Sequence, residues 1–270
     1  MKATTTISLE AHLQERIAKG GKVLLPYVTA GITDDWVDLV EAIVAAGADA
    51  VEIGIPFSDP AMDGTTIQEA SVVALERGMT PAQALSELRG REYGVPLIAM
   101  TYYNLVYRYG HERFAADAAA AGVRATILPD LPMELADEWA AAGAEYGIEN
   151  ILLAAPVTSD ERLAQVVERT AGFVYVVSTM GTTGERSSVD DAASVLARRV
   201  KAAGSRPAIV GFGISGPETA VAASRESDGV IVASALMRKV LSGESVDQAA
   251  SFVAEMRQAL DMAYPAGQAR

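Results

Sequence analysis

Two acids, Glu52 and Asp63, stand eleven positions apart and bracket the run Glu52-Ile53-Gly54-Ile55-Pro56-Phe57-Ser58-Asp59-Pro60-Ala61-Met62-Asp63-Gly64. Val51, Ile53 and Ile55 are β-branched and alternate with Glu52 and Gly54, the period-two pattern of a strand that packs one face and turns Glu52 to the other. Pro56, Ser58-Asp59-Pro60 and Asp63-Gly64 are turn chemistry that cannot continue a strand. One acid is therefore held by a strand while the other rides on a loop. This arrangement suits acid–base chemistry in which a fixed group meets the substrate and a mobile group closes over it. Desolvation between apolar neighbours is expected to raise the Glu52 pKa and make it a proton donor, whereas an exposed loop aspartate stays ionised. A structural reading stands beside this one, with Glu52 satisfied in the interior and Asp63 capping a helix that begins near Thr66.

The elements that must position these acids repeat along the chain. Short β-rich runs are expected at Val23 to Val28, Ala50 to Ile55, Pro96 to Tyr102, Ala125 to Pro129, Asn150 to Ala154, Phe173 to Val177, Ala208 to Gly211 and Gly229 to Val232. Between them lie alanine-rich amphipathic segments such as Trp36 to Ala46, Arg113 to Ala121, Leu135 to Tyr146, Asp160 to Thr170 and Val195 to Ala203. Gly47, Gly122, Gly147, Gly172 and Gly204 fall where those helices stop, the usual place of a left-handed C′ glycine. Nearly continuous apolar strands alternating with helices imply parallel pairing, and eight such units close into an α/β (β/α)8 TIM barrel. An extra N-terminal helix is expected before the first strand, capped by Ser8, with Leu9, Leu13 and Ile17 at helical spacing to plug the bottom of the barrel. A doubly wound open sheet is the runner-up, but Thr29-Ala30-Gly31 after the first strand lacks the glycine fingerprint that such sheets carry.

The 270 residues suit one barrel domain spanning 1–270, and no Gly/Ser-rich or Pro-rich linker divides them. A net charge of −13 argues against nucleic acid as a partner. Zero cysteines remove thiolate nucleophiles and thiolate metal sites. No apolar run approaches the ~20 residues of a membrane span and no apolar signal core opens the chain, so a cytoplasmic protein is expected. His12 and His111 stand apart from any cluster of acids and read as ordinary surface residues, so no metal is expected.

In a barrel the chemistry sits at the carboxyl ends of the strands. Three of those ends are permissive for close approach by a ligand: Ser178-Thr179-Met180-Gly181-Thr182-Thr183-Gly184, Gly211-Phe212-Gly213-Ile214-Ser215 and Ala233-Ser234-Ala235. A short helix starting at Ser234 would aim its positive end at an anion, and loops seven and eight are the recurrent phosphate site of this architecture, so a phosphate ester is the expected substrate. Tyr102, Tyr175 and Phe212 also fall at strand ends, where they either wall an apolar ring or simply pack.

The segment Val51 to Gln68 closely resembles the signature of tryptophan synthase α chains. The resemblance extends through Leu25-Pro26-Tyr27-Val28-Thr29-Ala30-Gly31, Met100-Thr101-Tyr102-Tyr103-Asn104, Pro129-Asp130-Leu131-Pro132, Gly181-Thr182-Thr183-Gly184 and Gly211-Phe212-Gly213. It implies cleavage of indole-3-glycerol phosphate to indole and glyceraldehyde 3-phosphate without metal or organic cofactor. Glu52 would protonate the indole ring and take the glycerol hydroxyl proton, Asp63 would stabilise charge at the ring nitrogen, and Gly184, Gly213 and Ser234 would hold the phosphate. It further implies a β-chain partner in an α2β2 assembly, contacted near Pro56, Asp59, Asp130 and Glu134, and a mobile lid over Thr179 to Val189. As a structural alternative, Asp130 and Glu134 are solvent-facing acids.

Three departures from the family pattern are Thr65 where proline is usual, Met62 where alanine is usual and Ala233 where glycine is usual. They lead one to expect a looser Asp63 loop and a hindered approach to phosphate. A stand-alone lyase and a catalytically idle regulatory subunit are the alternatives that the residues leave open.

Overall fold

The computed structural model describes residues 8–177 and 186–267. In chain order the elements are α1 (Leu9–Ala18), β1 (Val23–Thr29), α2 (Trp36–Ala45), β2 (Val51–Gly54), α3 (Thr65–Glu76), α4 (Pro81–Leu88), β3 (Leu97–Met100), α5 (Tyr103–Tyr109) and α6 (His111–Ala120). They continue with β4 (Val123–Ile127), a 3-10 turn (Met133–Leu135), α7 (Asp137–Glu145), β5 (Glu149–Ala154), α8 (Asp160–Arg169), β6 (Val174–Val176) and α9 (Arg186–Ala203). The last are β7 (Ala208–Val210), α10 (Pro217–Ala223), β8 (Gly229–Val232), α11 (Ser234–Leu241) and α12 (Val246–Ala263). The eight strands are all parallel and pair in sequence order into a closed barrel, β8 returning to β1. The expected TIM barrel is therefore the fold.

Strand alternation builds two cores. Val23, Leu25, Ala50, Ile98, Ala125, Ile127, Ile151, Phe173, Tyr175, Ile209 and Ile231 fill the barrel interior, while their strand neighbours face the surrounding helices. Leu9 and Leu13 of α1 belong to the interior cluster and are fully buried, with Ile17 packed beside them. The Ser8 hydroxyl accepts the Ala11 N–H at 3.1 Å, so the helix that closes the barrel floor starts on the expected cap. Burying a leucine contributes about 1.5–3 kcal/mol, so the two contacts hold α1 against the barrel more firmly than its weak intrinsic periodicity would.

The floor is also stitched by charge. Asp49 accepts the Leu24 N–H at 2.8 Å and meets Arg257 of α12 at 3.1 Å and Arg16 of α1 at 3.3 Å, tying the first and last helices to the start of β1. Burial pushes the Asp49 carboxyl up, so these partners act against a real desolvation cost. The expected C′ glycines hold at Gly47, Gly122 and Gly147, which take positive φ. Gly204 does not, and a Cβ there would meet Val167 at 2.6 Å, so its reason is close packing of α9 on α8. The sequence pattern also leaves α4, α5, α10 and α12 without an assigned place, since their segments are short or lie beyond the last strand.

Closure depends on the seam between β8 and β1. Gly229 pairs with Val23, and a Cβ on it would lie 2.4 Å from the Val23 carbonyl oxygen and 2.6 Å from the Val23 Cβ. Backbone cannot yield as a flexible side chain does. Gly229→Ala is expected to destabilise the protein by about 1–3 kcal/mol, measured as a lower urea midpoint at unchanged m-value; a midpoint equal to that of the parent protein would contradict this account of the seam.

Candidate active site

Glu52 lies in the middle of β2, opposite Tyr27 of β1 and Ile98 of β3 in the ladder. It is 1 % exposed, and among the described residues its Oε2 has no hydrogen-bond partner. Burial, reinforced by the nearby Asp63 charge, pushes the Glu52 carboxyl up to about 8. At that oxygen, among the described residues, the donor that the structural reading requires is missing, which leaves the Glu52 carboxyl free to exchange a proton there.

Tyr27 and Tyr175 are buried beside it, and each phenol senses the charges of both Glu52 and Asp63. The rings lean across the barrel only because two strand ends carry glycine. A Cβ on Gly54 would come within 1.8 Å of the Tyr27 hydroxyl, and one on Gly211 within 2.1 Å of the Tyr175 hydroxyl. Thr29 Oγ1 donates to the Tyr27 oxygen at 3.4 Å, and the Tyr175 hydroxyl donates to the Gly211 carbonyl at 3.3 Å. Gly211 thus makes room for the Tyr175 side chain. Tyr27 was not singled out from the sequence; its place at alternate positions with Val23 and Leu25, one strand from Glu52, is the signal that could have found it.

The loop after β2 carries Asp63 to the same place. The Tyr102 hydroxyl accepts the Met62 N–H at 2.9 Å, and the Phe57 ring stacks on Tyr102 with centroids 4.9 Å apart. Gln68 Nε2 donates to the Asp63 carbonyl at 2.9 Å. Asp63 is half-buried, and desolvation raises its carboxyl to about 6 against the opposing Tyr102 hydroxyl. The expectation of an exposed, fully ionised loop aspartate is corrected by that burial. Asp63 is also not a helix cap: Gly64 occupies the N-cap of α3, with no side-chain cap bond. Thr65 is the first residue of α3, and the helix forms without the proline that would favour that position.

At the other strand ends, Gly213 has φ +78° with open space where a Cβ would stand, and Ser234 opens α11. Ala233 is the N-cap of α11 at φ −116°, so the feared conflict between its Cβ and a left-handed backbone does not arise. Phe212 is 48 % exposed at the rim. Gly184 and the rest of 178–185, most of the expected lid, lie outside the described residues. A surface hollow of about 350 Å³ between Gly31, Asp34, Trp36, Arg77, Met79 and Glu87 takes in none of these residues.

Of the four residues assigned to a partner surface, Pro56 is buried and Asp59 is exposed. Asp130 is exposed but accepts the Tyr103 N–H at 2.8 Å, satisfying the first turn of α5. Glu134 forms a two-point pair with Arg162, which holds its carboxyl down at about 2. Neither acid is simply solvated. Leu135, Tyr107 and Val157 expose large apolar surfaces. His111 departs from the surface role expected of it: its Nε2 lies 3.0 Å from the Tyr103 hydroxyl and its ring packs edge-on to Trp139 at 6.0 Å.

With the geometry in place, the family model described as tryptophan synthase alpha chain matches residues 13–264. The chain is similar to the tryptophan synthase alpha chain of Prochlorococcus marinus, 39% identical over 267 residues that cover 96% of this chain and 97% of that one. It is 44% identical over 233 residues to the protein of the same name from Methanothermobacter thermautotrophicus, covering 84% and 86%. Among solved structures, Mycobacterium tuberculosis tryptophan synthase superposes with a TM-score of 0.86 at 38% identity, covering 93% of this chain and 97% of that one. Tryptophan synthase subunit alpha from Legionella pneumophila superposes at 0.83 and 33% identity, covering 94% and 98%.

The buried acid has a consequence for stability. The folded protein holds a proton on Glu52 up to about pH 8, whereas the unfolded chain releases it in the ordinary glutamate range. Unfolding therefore releases a proton between those limits, and stability falls as pH rises through them. Glu52→Gln is expected to reduce the loss between pH 5 and pH 8 by about 2–4 kcal/mol, read from urea unfolding at both pH values; identical losses in the two proteins would show that Glu52 is not desolvated as described.

Proposed function

Because this chain belongs to the tryptophan synthase α-chain family, we propose that its barrel, taken as one domain over 1–270, cleaves indole-3-glycerol phosphate by a reverse-aldol reaction in which Glu52 and Asp63 divide the work. The observation that carries this reading is the pair itself: a carboxyl poised near 8 and a second poised near 6, close enough for one charge to raise the other. Between those values Glu52 is protonated while Asp63 is ionised, the division of labour that acid–base chemistry at neutral pH requires.

Glu52 gives its proton to the indole carbon that bears the glycerol chain. The ring becomes a cation whose charge lies largely on nitrogen, where the Asp63 carboxylate stabilises it. The Glu52 carboxylate then takes the proton of the hydroxyl on the adjoining glycerol carbon. The carbon–carbon bond breaks, its electron pair returns to the ring to give indole, and the hydroxyl carbon becomes the aldehyde of glyceraldehyde 3-phosphate. One proton leaves Glu52 and one returns, so the step balances without an outside acid. Tyr27, Tyr102, Tyr175 and Phe212 supply the walls for the ring, and Gly213 and Ser234, with Gly184, supply backbone and side-chain donors for the phosphate.

The enzyme is in this reading a cytoplasmic carbon–carbon lyase of tryptophan biosynthesis, and a β chain is its partner. Pro56, Asp59, Asp130 and Glu134 mark the contact, and Leu135, Tyr107 and Val157 provide apolar surface of the kind that partner interfaces bury. Contact at the loop after β2 acts directly on the segment that carries Asp63.

Glu52→Gln is expected to lower indole release by about 10²- to 10⁴-fold, followed by indole formation from indole-3-glycerol phosphate; undiminished release would remove Glu52 as the proton donor. The parent rate is expected to follow a bell, with an acid limb near 6 set by Asp63 and an alkaline limb near 8 set by Glu52. Adding a β chain is expected to raise the rate roughly tenfold or more, the effect of a coupling free energy in the usual 1–3 kcal/mol range. A rate indifferent to the β chain would leave the lyase a free-standing enzyme.

A further inference from the structure

The loop that carries Asp63 runs into α3, and the first turn of that helix holds on to it. The Ile67 and Gln68 N–H groups both donate to the Gly64 carbonyl at 3.0 Å, the ordinary start of a helix. The Gln68 side chain does something that a helix does not require. Its Nε2 reaches back to donate to the Asp63 carbonyl at 2.9 Å and, at the longer distance of 3.5 Å, to the Pro60 carbonyl. Both partners are carbonyl oxygens that can only accept, so the amide nitrogen must face them and both of its hydrogens are directed at the loop. The Pro60 carbonyl also accepts the Asp63 N–H at 3.0 Å, so the two carbonyls that Gln68 gathers are the ends of the turn that presents Asp63.

Behind Gln68 the helix is held by apolar packing. Ile67, Ala70 and Ala74 belong to one core cluster with Val28 of β1 and with Leu236 and Met237 of α11, and α3 packs against both of those elements. α11 is itself tied to the end of β1, where the Thr29 N–H donates to the Met237 sulfur at 3.4 Å. Ser234, at the proposed phosphate end of the site, opens that same helix. We propose that Gln68 is a positioning residue, which docks the Asp63 turn onto α3 and so sets Asp63 at a fixed distance from the phosphate anchor on α11. The role rests on the reaction proposed above. Gln68 is exposed and acts through the loop backbone, with no contact to substrate required. A displacement of about 1 Å is enough to cost a reacting group much of its effect on the transition state, so a tie of this kind reaches the chemistry.

The test is Gln68→Met, which keeps the length of the side chain and removes both donors. Amide hydrogen exchange of residues 61–64 in the substrate-free protein is expected to quicken by about 3- to 10-fold, the scale of one neutral hydrogen bond. The kcat for indole release is expected to fall by a similar factor, about 3- to 10-fold, while KM changes by less than about twofold because the phosphate end is untouched. Gln68→Glu, equally long and with no hydrogen to offer a carbonyl once ionised, is expected to reproduce both losses. Gln83→Met is the control: it removes another exposed glutamine amide, one that donates to Glu87 at 2.8 Å on α4, and is expected to leave exchange and kcat at their parent values. Exchange of residues 61–64 that is identical in the parent and Gln68→Met proteins would overturn the docking, whatever the lyase activity. Faster exchange with an undiminished kcat would overturn the positioning role. Absence of lyase activity in the parent protein, alongside faster exchange in Gln68→Met, would instead overturn the reaction and leave the docking in place.

Discussion

A carboxyl group sealed into the wall of a closed barrel, with one oxygen unpartnered among the described residues and a second carboxyl beside it, is the constraint around which this molecule is arranged. Two like charges are costly to carry there together, so below about pH 8 the pair settles with a proton on the more buried member. That asymmetry is a property of place, because Glu52 and Asp63 are ordinary acids in water. It needs a scaffold stiff enough to keep water away from Glu52, and the parallel barrel with packed inner layers provides one.

The scaffold withholds material at the right places. Gly54 and Gly211 leave gaps at the top of the barrel that the rings of Tyr27 and Tyr175 fill, and the two phenols deepen the desolvation of Glu52 while narrowing the mouth. The floor is treated in the opposite way. Leu9 and Leu13 fill it, and the Asp49, Arg257 and Arg16 cluster clamps the ends of the chain together beneath it. Rigidity is concentrated where no chemistry is proposed, and the loop bearing Asp63 stands at the open end, where the Tyr102 hydroxyl accepts the neighbouring Met62 N–H.

The same loop carries Pro56 and Asp59, two of the residues proposed for the β-chain contact. Phe57 of this loop stacks on Tyr102 after β3, Asp130 accepts the first N–H of the helix that follows Tyr102, and Glu134 is held by Arg162. In the proposed assembly, a β chain pressing on this surface would reach the Asp63 loop through the Phe57–Tyr102 stack and the Met62–Tyr102 bond. Met62 and Thr65, which depart from the family pattern, sit on its outer side, Met62 with its N–H bound to Tyr102 and Thr65 at the start of α3.

Period-two alternation around Glu52, helical spacing of Leu9, Leu13 and Ile17, and glycines between the units were enough to read the parallel barrel, its floor helix and the acid on β2 directly from the chain. These are local patterns, and a side chain's face is decided by its immediate neighbours. The half-burial of Asp63, the place of Tyr27 beside Glu52, the capture of His111 by Tyr103 and Trp139, and the in-chain partners of Asp130 and Glu134 were decided only by the tertiary structure. Each depends on which strand ends and helices meet once the barrel closes, and that register joins residues far apart in sequence whose own surroundings carry no trace of the meeting.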